Sequence, residues 1–316
     1  MAHKVRFGIQ TSQENVEWSQ LLDFWRFLEE ETAFNSVWTM DHFVPPMPGQ
    51  DPSGSCLEGW TTLAAAAQAT ERLRLGCLVT GVTYRHPSVL AKMAATVDHI
   101  SNGRLEFGIG AGWHQPEHQF YGIPFPSVRE RSDRLEEAVQ LIRLLFHAEG
   151  PVDFQGKYYQ LQQAPFSPAC VQKPNPPIFI GGGGEKRTLL TAARYADAIN
   201  VMGSLDMVKR KIAVLEQHCA DIGRDPNEIE KTFHGPVLLI DDPERAQQMR
   251  ARFAGAGGPP DEEVLETILI GDGAHLRDLI DRYAEAGISY IVMMSRAPYN
   301  FDIYRRISDE VVSAFA

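Results

Sequence analysis

An alternation of short apolar runs with longer segments of helical period constrains the fold of this chain more than any other feature. The short runs are rich in valine, isoleucine and phenylalanine. Such an alternation predicts strand-helix units arranged around a parallel sheet. Eight runs are predicted to be strands: residues 5–10, 36–40, 73–80, 105–110, 177–181, 198–202, 233–240 and 290–294.

Eight such units in a chain of 316 residues favour an α/β fold of the (β/α)₈ TIM-barrel type with insertions. Residues 150–176 are too long for an ordinary loop and are predicted to hold a short hairpin. Residues 254–263 contain GlyGlyProPro and are predicted to form a loop near the barrel mouth. Because the alternation resumes after both segments, residues 1–316 are expected to form a single domain. Helices are predicted at 18–31, 89–100, 128–147, 185–193, 207–222 and 275–286.

Charge and cysteine content narrow the class of function. A formal net charge of -11 disfavours nucleic-acid binding, because that binding needs Lys and Arg to displace counterions from phosphates. The four cysteines form no CxxC pair, so neither a disulfide scaffold nor a sulfur-rich zinc site is indicated. No export signal and no membrane span are recognised in the sequence. A cytoplasmic protein is expected.

Candidate catalytic residues follow the predicted strands, since the loops after the strands carry the reactive groups of such barrels. Asp41 and His42 follow the second strand, and a histidine beside a carboxylate suits a general acid or base near neutral pH. The alternative is a histidine that is hydrogen-bonded within its loop, but the position after a barrel strand favours catalysis. Thr80 ends the third strand, and Pro87 is predicted to begin the next helix.

Glycines 108, 110 and 112 end the fourth strand and permit close approach of the backbone to a planar ring or a phosphate. The dinucleotide fingerprint GxGxxG fails in both registers, because Trp113 and Gln115 stand where its last glycine is needed. A Rossmann domain is therefore disfavoured.

The same segment matches the spacing HxxEH of inverted zinc peptidases through His114, Glu117 and His118. Pro116 lies between them and opposes the continuous helix that this motif needs to bring both imidazoles to one face. A zinc hydrolase is thus a remote alternative. A helix that starts near Pro116, with Glu117 favoured by its dipole, is the preferred interpretation.

A run of four glycines at 181–184 separates a predicted strand from a predicted helix. Bare backbone N–H groups at the positive end of a helix dipole bind phosphate well. Lys186 and Arg187 add positive charge to this segment. The alternative is a flexible loop, but the position between strand and helix favours an anion site.

Taken in order, these segments resemble the luciferase-like monooxygenase superfamily, in particular its branch that uses coenzyme F420, an 8-hydroxy-5-deazaflavin. Together the segments are specific, and they span most of the chain. They are AspHisPhe at 41–43, ValThrGlyValThrTyrArgHisPro at 79–87, IleSerAsnGlyArgLeuGluPheGlyIleGlyAlaGlyTrp at 100–113, TyrGlyIleProPhe at 121–125 and the glycines at 181–184.

The resemblance also implies roles for individual residues. His42 corresponds to the active-site histidine, and Asp41 to a residue that contacts the cofactor. The Leu78–Val79 peptide corresponds to a non-prolyl cis bond that forms a bulge behind the cofactor ring. The other implied cofactor contacts are Thr80, Ala111, Gly112, Trp113, Gly182, Gly183 and Gly184.

The reaction implied by the resemblance is hydride transfer between coenzyme F420 and a small organic substrate, with His42 exchanging the accompanying proton. The nearest alternative is an FMN-dependent monooxygenase that uses oxygen and a partner flavin reductase. Ala111 stands where bacterial luciferases carry a cofactor-binding arginine, which disfavours their type of FMN site. Trp113 stands where the sugar-phosphate dehydrogenases carry an acidic glutamate, which disfavours a glucose-phosphate activity. Members of the family are often dimers, so a homodimer is expected.

Overall fold

A computed structural model describes residues 3–47, 49–255 and 268–316. Its strands are β1 Arg6–Thr11, β2 Ser36–Thr39, β3 Arg74–Cys77, β4 Thr80–Gly81, β5 Leu105–Gly110, β6 Val152–Gln155, β7 Gln160–Ala164, β8 Ile178–Gly181, β9 Ala198–Val201, β10 Glu230–Leu239, β11 Leu269–Gly271 and β12 Tyr290–Ser295. Its helices are α1 Trp18–Glu31, α2 Gly59–Ala69, α3 Pro87–Ile100, α4 Gln115–Phe120, α5 Val128–Phe146, α6 Thr188–Tyr195, α7 Leu205–Ile222, α8 Pro243–Gly255, α9 Gly273–Glu285 and α10 Phe301–Glu310. Short 3-10 helices lie at Pro226–Glu228 and Val312–Phe315.

Eight parallel strand positions close into a barrel in the order β1, β2, β3, β5, β8, β9, β10 and β12, and β12 pairs with β1 again. The prediction of a TIM barrel is therefore confirmed. Each of the eight predicted runs overlaps a barrel strand. The third run is divided into β3 and β4, and the Leu78–Val79 peptide between them is cis, as the resemblance implied.

Two additions to the barrel differ in how well the sequence predicted them. The expected hairpin is present, because β6 and β7 pair in antiparallel fashion. Strand β11 was not predicted, and it adds to the end of β10 through Val237, Leu238 and Leu239. With only three residues, β11 is too short to produce a recognisable period. Most of the loop predicted at 254–263 lies outside the described residues.

The helix ends follow the local chemistry of the sequence. Pro87 occupies the first turn of α3, where its missing N–H costs no hydrogen bond. Gly287 follows α9 with a φ of +99°, as expected of a glycine that ends a helix. Helix α6 starts at Thr188, three residues later than predicted, so Lys186 and Arg187 precede it. No helix in the described part of the chain is long and apolar enough to cross a membrane.

The alternation of side chains along each strand places one set against the helices and the other set inside the barrel. In β1, Phe7 and Ile9 belong to the large core beneath the helices. Inside the barrel, side chains of the inward set form a second apolar cluster. This cluster contains Trp38, Leu78, Phe179, Ala198, Tyr290 and Val292.

Candidate active site

A cavity of about 430 Å³ opens at the carboxyl ends of the barrel strands. Ligand pockets commonly have volumes of roughly 300–1,000 Å³, so the space suits a small organic ligand. Leu78 belongs to the apolar cluster inside the barrel and Val79 packs against it, so these residues form the floor of the cavity. The side chains of the wall come from the ends of β1, β2, β5, β8, β9, β10 and β12 and from the loops that follow them.

The cavity brings together most of the site residues predicted from the sequence. Asp41, Thr80 and Gly184 do not line it. Asp41 and Thr80 are buried behind the wall, and Gly184 is exposed just beyond the end of the glycine run. Those that line it are His42, Leu78, Val79, Ala111, Gly112, Trp113, Gly182 and Gly183.

His42 is held in the wall by a buried carboxylate. Its Nδ1 lies 2.8 Å from Oε1 of Glu117, whose side chain is completely buried at the start of α4. A carboxylate accepts hydrogen bonds, so the contact keeps the proton of a neutral His42 on Nδ1. Nε2 is then the ring nitrogen free to exchange a proton with a ligand in the cavity.

Glu117 collects further donors around the same carboxylate. Its Oε2 accepts a hydrogen bond of 2.7 Å from the backbone N–H of Phe43, and its Oε1 also accepts one from the Tyr84 hydroxyl. Burial opposes ionisation, but the hydrogen bonds from His42, Tyr84 and Phe43 outweigh it and lower the pKa of Glu117. Burial and the bond to Glu117 raise the pKa of Tyr84, which therefore keeps its proton. Glu117 is thus an ionised acceptor for neutral donors and for the titratable His42.

Asp41 lies behind the cavity wall and holds it through hydrogen bonds. Its Oδ2 accepts hydrogen bonds from Arg85 at 2.7 Å and from the N–H of Gly81 at 3.1 Å. Burial raises the pKa of Asp41, although the charge of Arg85 opposes that shift. Arg85 also contacts Glu58, so its charge is shared between two carboxylates.

Thr80 has a similar supporting position. Its hydroxyl accepts a hydrogen bond of 2.9 Å from the indole N–H of Trp60. Trp60 belongs to the core between the barrel and its helices. Thr80 therefore connects the short strand β4 to that core.

The floor of the cavity carries a second polar chain. Gln10 donates from Nε2 to the carbonyl oxygen of Leu78 at 3.0 Å, and its Oε1 lies 2.9 Å from Nε2 of His234. Burial lowers the pKa of His234 to about 4, so this imidazole is neutral near pH 7 and donates from Nε2. Gln10 and His234 thereby hold the carbonyl of the cis peptide in place.

The zinc motif read from the sequence is not assembled as the motif requires. His118 is engaged elsewhere, with Nε2 at 2.7 Å from the Thr83 hydroxyl and Nδ1 at 2.8 Å from the carbonyl oxygen of His114. The potential ligand atoms of His42, His114 and Glu117 do lie within 4.8 Å of one another. In that group, His42 is already hydrogen-bonded to Glu117, and the pKa of His114 is lowered by burial. The group is best described as a carboxylate with two histidines beside it.

The glycine run begins at the end of β8, and its first three residues line the cavity. Gly182 has a φ of +125°, a conformation that few other residues adopt, and Gly182 and Gly183 are exposed. A Cβ at position 183 would lie 3.3 Å from Cε of Lys211, so this lysine borders the run. Lys211 is also paired with Glu185 at 2.8 Å.

Several polar residues of the site were not identified as functional from the sequence, namely Gln10, Tyr84, Asn200 and His234. Three of them occupy strands at positions whose side chains point into the barrel. A polar residue at an inward position of an apolar strand is a signal that sequence reasoning could use. Glu117 was noticed, but only as a helix-start residue or a zinc ligand.

Comparisons with known proteins agree with this geometry. The family described as luciferase-like monooxygenase matches residues 1–258. An F420-dependent glucose-6-phosphate dehydrogenase of Microbacterium testaceum is 31% identical over 257 residues, which are 80% of this chain and 74% of the relative. An F420-dependent hydroxymycolic acid dehydrogenase of Mycobacterium tuberculosis is 31% identical over 236 residues, 73% of this chain and 63% of the relative.

Solved structures share the fold. An F420-dependent secondary alcohol dehydrogenase, in complex with an F420-acetone adduct, superposes with a TM-score of 0.84 at 24% identity and covers 99% of both chains. The barrel, the extent of the family match and the identity to these relatives confirm the assignment made from the sequence. The chain belongs to the luciferase-like monooxygenase family, in the branch of F420-dependent enzymes.

Proposed function

We propose that the protein is an F420-dependent oxidoreductase that moves a hydride between the deazaflavin and a small organic substrate at the barrel mouth. The observation that carries the proposal is that one cavity has His42, the Leu78–Val79 peptide and the glycine run in its wall. The F420-dependent relatives support the choice of cofactor.

The residues present fit a flat ring with a phosphate-bearing tail. A Cβ at Gly110 would lie 2.7 Å from Val79, and one at Gly181 would lie 2.8 Å from it. Only glycine at these two strand ends leaves room for the Val79 bulge, which forms a low apolar surface for a ring. The N–H of Gly182 donates to the carbonyl oxygen of Asn200 at 3.2 Å. The exposed Gly183 and Gly184, with Lys211 beside the run, therefore carry the N–H groups that suit the phosphate.

Each predicted contact then has a task in the proposal. Leu78 and Val79 support one face of the ring, and Ala111, Gly112 and Trp113 border its edge. Gly183 and Gly184 bind the phosphate through their N–H groups, and Gly182, with its positive φ, sets the path of the run. Asp41 and Thr80, predicted as direct contacts, act through the wall that they stabilise.

The bound deazaflavin supplies a carbon centre that accepts or returns a hydride. The protein supplies the proton exchange, since His42 presents Nε2 to the cavity while Glu117 holds Nδ1. The apolar floor excludes water from the reacting groups, and the walls hold substrate against cofactor, which lowers the entropic part of the barrier.

A cofactor titration tests the proposal. Purified apoprotein is titrated separately with coenzyme F420 and with FMN, and binding is followed by fluorescence. We expect tighter binding of F420, and we expect Gly182→Ala to weaken it about tenfold, because a side chain strains the backbone at a φ of +125°.

The control is Gly150→Ala, at an exposed glycine with open space around its Cβ position. It is expected to leave the affinity unchanged. A clear preference for FMN would replace the proposal by an FMN-dependent monooxygenase that works with a flavin reductase.

A further inference from the structure

The wall of the cavity lacks fixed charge. Among the residues that line it, in the described part of the chain, there is no Asp, Glu, Lys or Arg, and His42 and His234 are the ionisable ones. His234 is neutral near pH 7 because burial lowers its pKa to about 4. A substrate with a phosphate or carboxylate would lose hydration in this space without gaining a cationic partner.

Two cations close to the cavity wall, Arg85 and Lys211, are already paired with carboxylates. Arg85 is paired with Asp41 at 2.7 Å and also contacts Glu58, so its charge is balanced by two carboxylates. Lys211 is paired with Glu185 and borders the glycine run, which the cofactor phosphate occupies in the proposed function. Neither guanidinium nor ammonium is therefore available to an anionic substrate over the cavity floor.

Polar atoms for a substrate are also few. Both side-chain polar atoms of Gln10 are used, one on Leu78 and one on His234. Asn200 donates from Nδ2 to the hydroxyl of Thr232 at 2.8 Å. His42 keeps one ring nitrogen free, which is enough for one hydroxyl or carbonyl oxygen. The lining also offers the Thr188 hydroxyl and Oδ1 of Asn200, so a substrate with many more hydroxyl groups than these would leave some of them unsatisfied.

The rest of the wall is apolar and adaptable. Its methionines are flexible and polarisable, and such side chains adjust to irregular apolar shapes. The apolar surface continues outward, because Trp113 and Met202 line the cavity and are 56% and 53% exposed. Exposed apolar side chains at a cavity mouth mark a surface that a ligand covers. The methionines are Met40, Met47, Met202 and Met294.

From these observations we infer, on the basis of the proposed function, that the substrate is an uncharged and mainly apolar alcohol or its carbonyl product. Oxidation breaks the C–H bond of the carbinol carbon, and the hydride leaves to the deazaflavin. The hydroxyl proton passes to Nε2 of His42, and the carbonyl forms. Reduction runs the same exchange in reverse. The apolar part of the substrate lies against the methionines and extends beneath Trp113.

Matched substrates test this class. The protein is loaded with reduced F420 and assayed with two ketones that differ only in one carboxylate. The pair is cyclohexanone and 4-oxocyclohexanecarboxylate. We expect kcat/KM for the neutral ketone to exceed that of the anion by at least about 100-fold. The second readout is binding of 1-methylcyclohexanol, a tertiary alcohol that cannot be oxidised, against 4-hydroxy-4-methylcyclohexanecarboxylate, measured by calorimetry.

A charge added to the mouth sharpens the test. Met202→Lys is expected to raise kcat/KM for 4-oxocyclohexanecarboxylate about tenfold relative to cyclohexanone, because the new ammonium pairs with the carboxylate. The control is Ile222→Lys, at an exposed apolar residue that ends α7 and does not line the cavity. It is expected to leave the ratio unchanged.

The outcomes separate the two proposals. If F420 binds but the anion reacts as well as the neutral ketone, or if no neutral member binds or reacts, the substrate class is wrong while the cofactor assignment stands. If glucose 6-phosphate is turned over with the highest kcat/KM, the substrate class is also overturned. If F420 does not bind, the proposed function itself fails.

Discussion

Two buried glutamates, at opposite ends of the barrel, differ in the groups that form hydrogen bonds or ion pairs with them. Glu106, at the amino end of the strands, has a side chain only 1% exposed and is contacted by Arg6 at 3.0 Å and by Arg74 at 2.8 Å. Glu117, at the mouth, is completely buried, and its partners are His42, the Tyr84 hydroxyl and a backbone N–H. One carboxylate has two guanidinium cations around it, and the other has a histidine, a phenol hydroxyl and a backbone N–H.

The two sets of partners place the two carboxylates in different electrostatic surroundings. Tyr290 donates to Glu106 at 3.1 Å, and the Arg6 guanidinium lies 4.1 Å from the centre of the Tyr290 ring, so the amino end is closed by packed, charge-balanced groups. Glu117 has no arginine among its partners given above. Its negative charge instead fixes the tautomer of His42. The carboxylate at the amino end is therefore held by two arginines, and the carboxylate at the mouth is held by a histidine, a tyrosine and a backbone N–H.

The largest expected effect comes from removing the titratable partner at the mouth. His42→Ala is expected to lower kcat about 100- to 10,000-fold, because His114, the other imidazole beside Glu117, does not line the cavity and cannot take over the proton exchange. Steady-state kinetics with F420 measure the loss, and fluorescence titration is expected to give nearly unchanged cofactor affinity. His3→Ala, at an exposed histidine near the start of the chain, is the control. Undiminished turnover in His42→Ala would remove His42 from the mechanism.

The second prediction compares the two glutamates directly. Glu117→Gln is expected to lower kcat about 10- to 100-fold, since an amide cannot accept from all three donors and the His42 tautomer is no longer fixed. Glu106→Gln is expected to keep turnover within about twofold but to lower the free energy of unfolding by about 2–3 kcal/mol, discounted because its arginines are partly exposed.

Kinetics and urea unfolding of the two purified variants test this pair. The unfolding loss for Glu117→Gln is expected to be smaller, about 1–2 kcal/mol, because its main partners are neutral donors. The comparison of the two ends breaks down if Glu106→Gln loses turnover as severely as Glu117→Gln while remaining folded.

The fold could be predicted well from the sequence because each strand and helix of the barrel has its own local pattern of apolar residues. Alternating apolar runs and helical periods identified every barrel strand, and the glycines after β5 and β8 marked two loops of the mouth. The resemblance identified the cis peptide at 78–79, which no local pattern predicts. Strand β11 was missed because it pairs with β10 through three residues and carries little period of its own.

The partners of the site were harder to predict than its members. His42 and Glu117 are 75 residues apart, and α4 must turn its first residues toward the loop after β2 before they meet. The spacing of Glu117 between His114 and His118 indicated a metal motif, whereas the fold directs His118 to Thr83. Gln10 and His234, 224 residues apart, meet only when the barrel closes.

The smallest expected effect is the dependence of stability on pH at the mouth. The pKa of Glu117 is lowered in the folded protein, so its ionised form contributes stability above its ordinary pKa of about 4.3. That contribution is lost as the pH falls through the lower folded value. The difference in urea midpoint between the wild type and Glu117→Gln is therefore expected to be constant from about pH 7 to 5 and to shrink below about pH 4. If the difference grows as the pH falls, then burial, and not the donors from His42, Tyr84 and Phe43, controls the pKa of Glu117. The hydrogen-bond donors would then not distinguish Glu117 from Glu106.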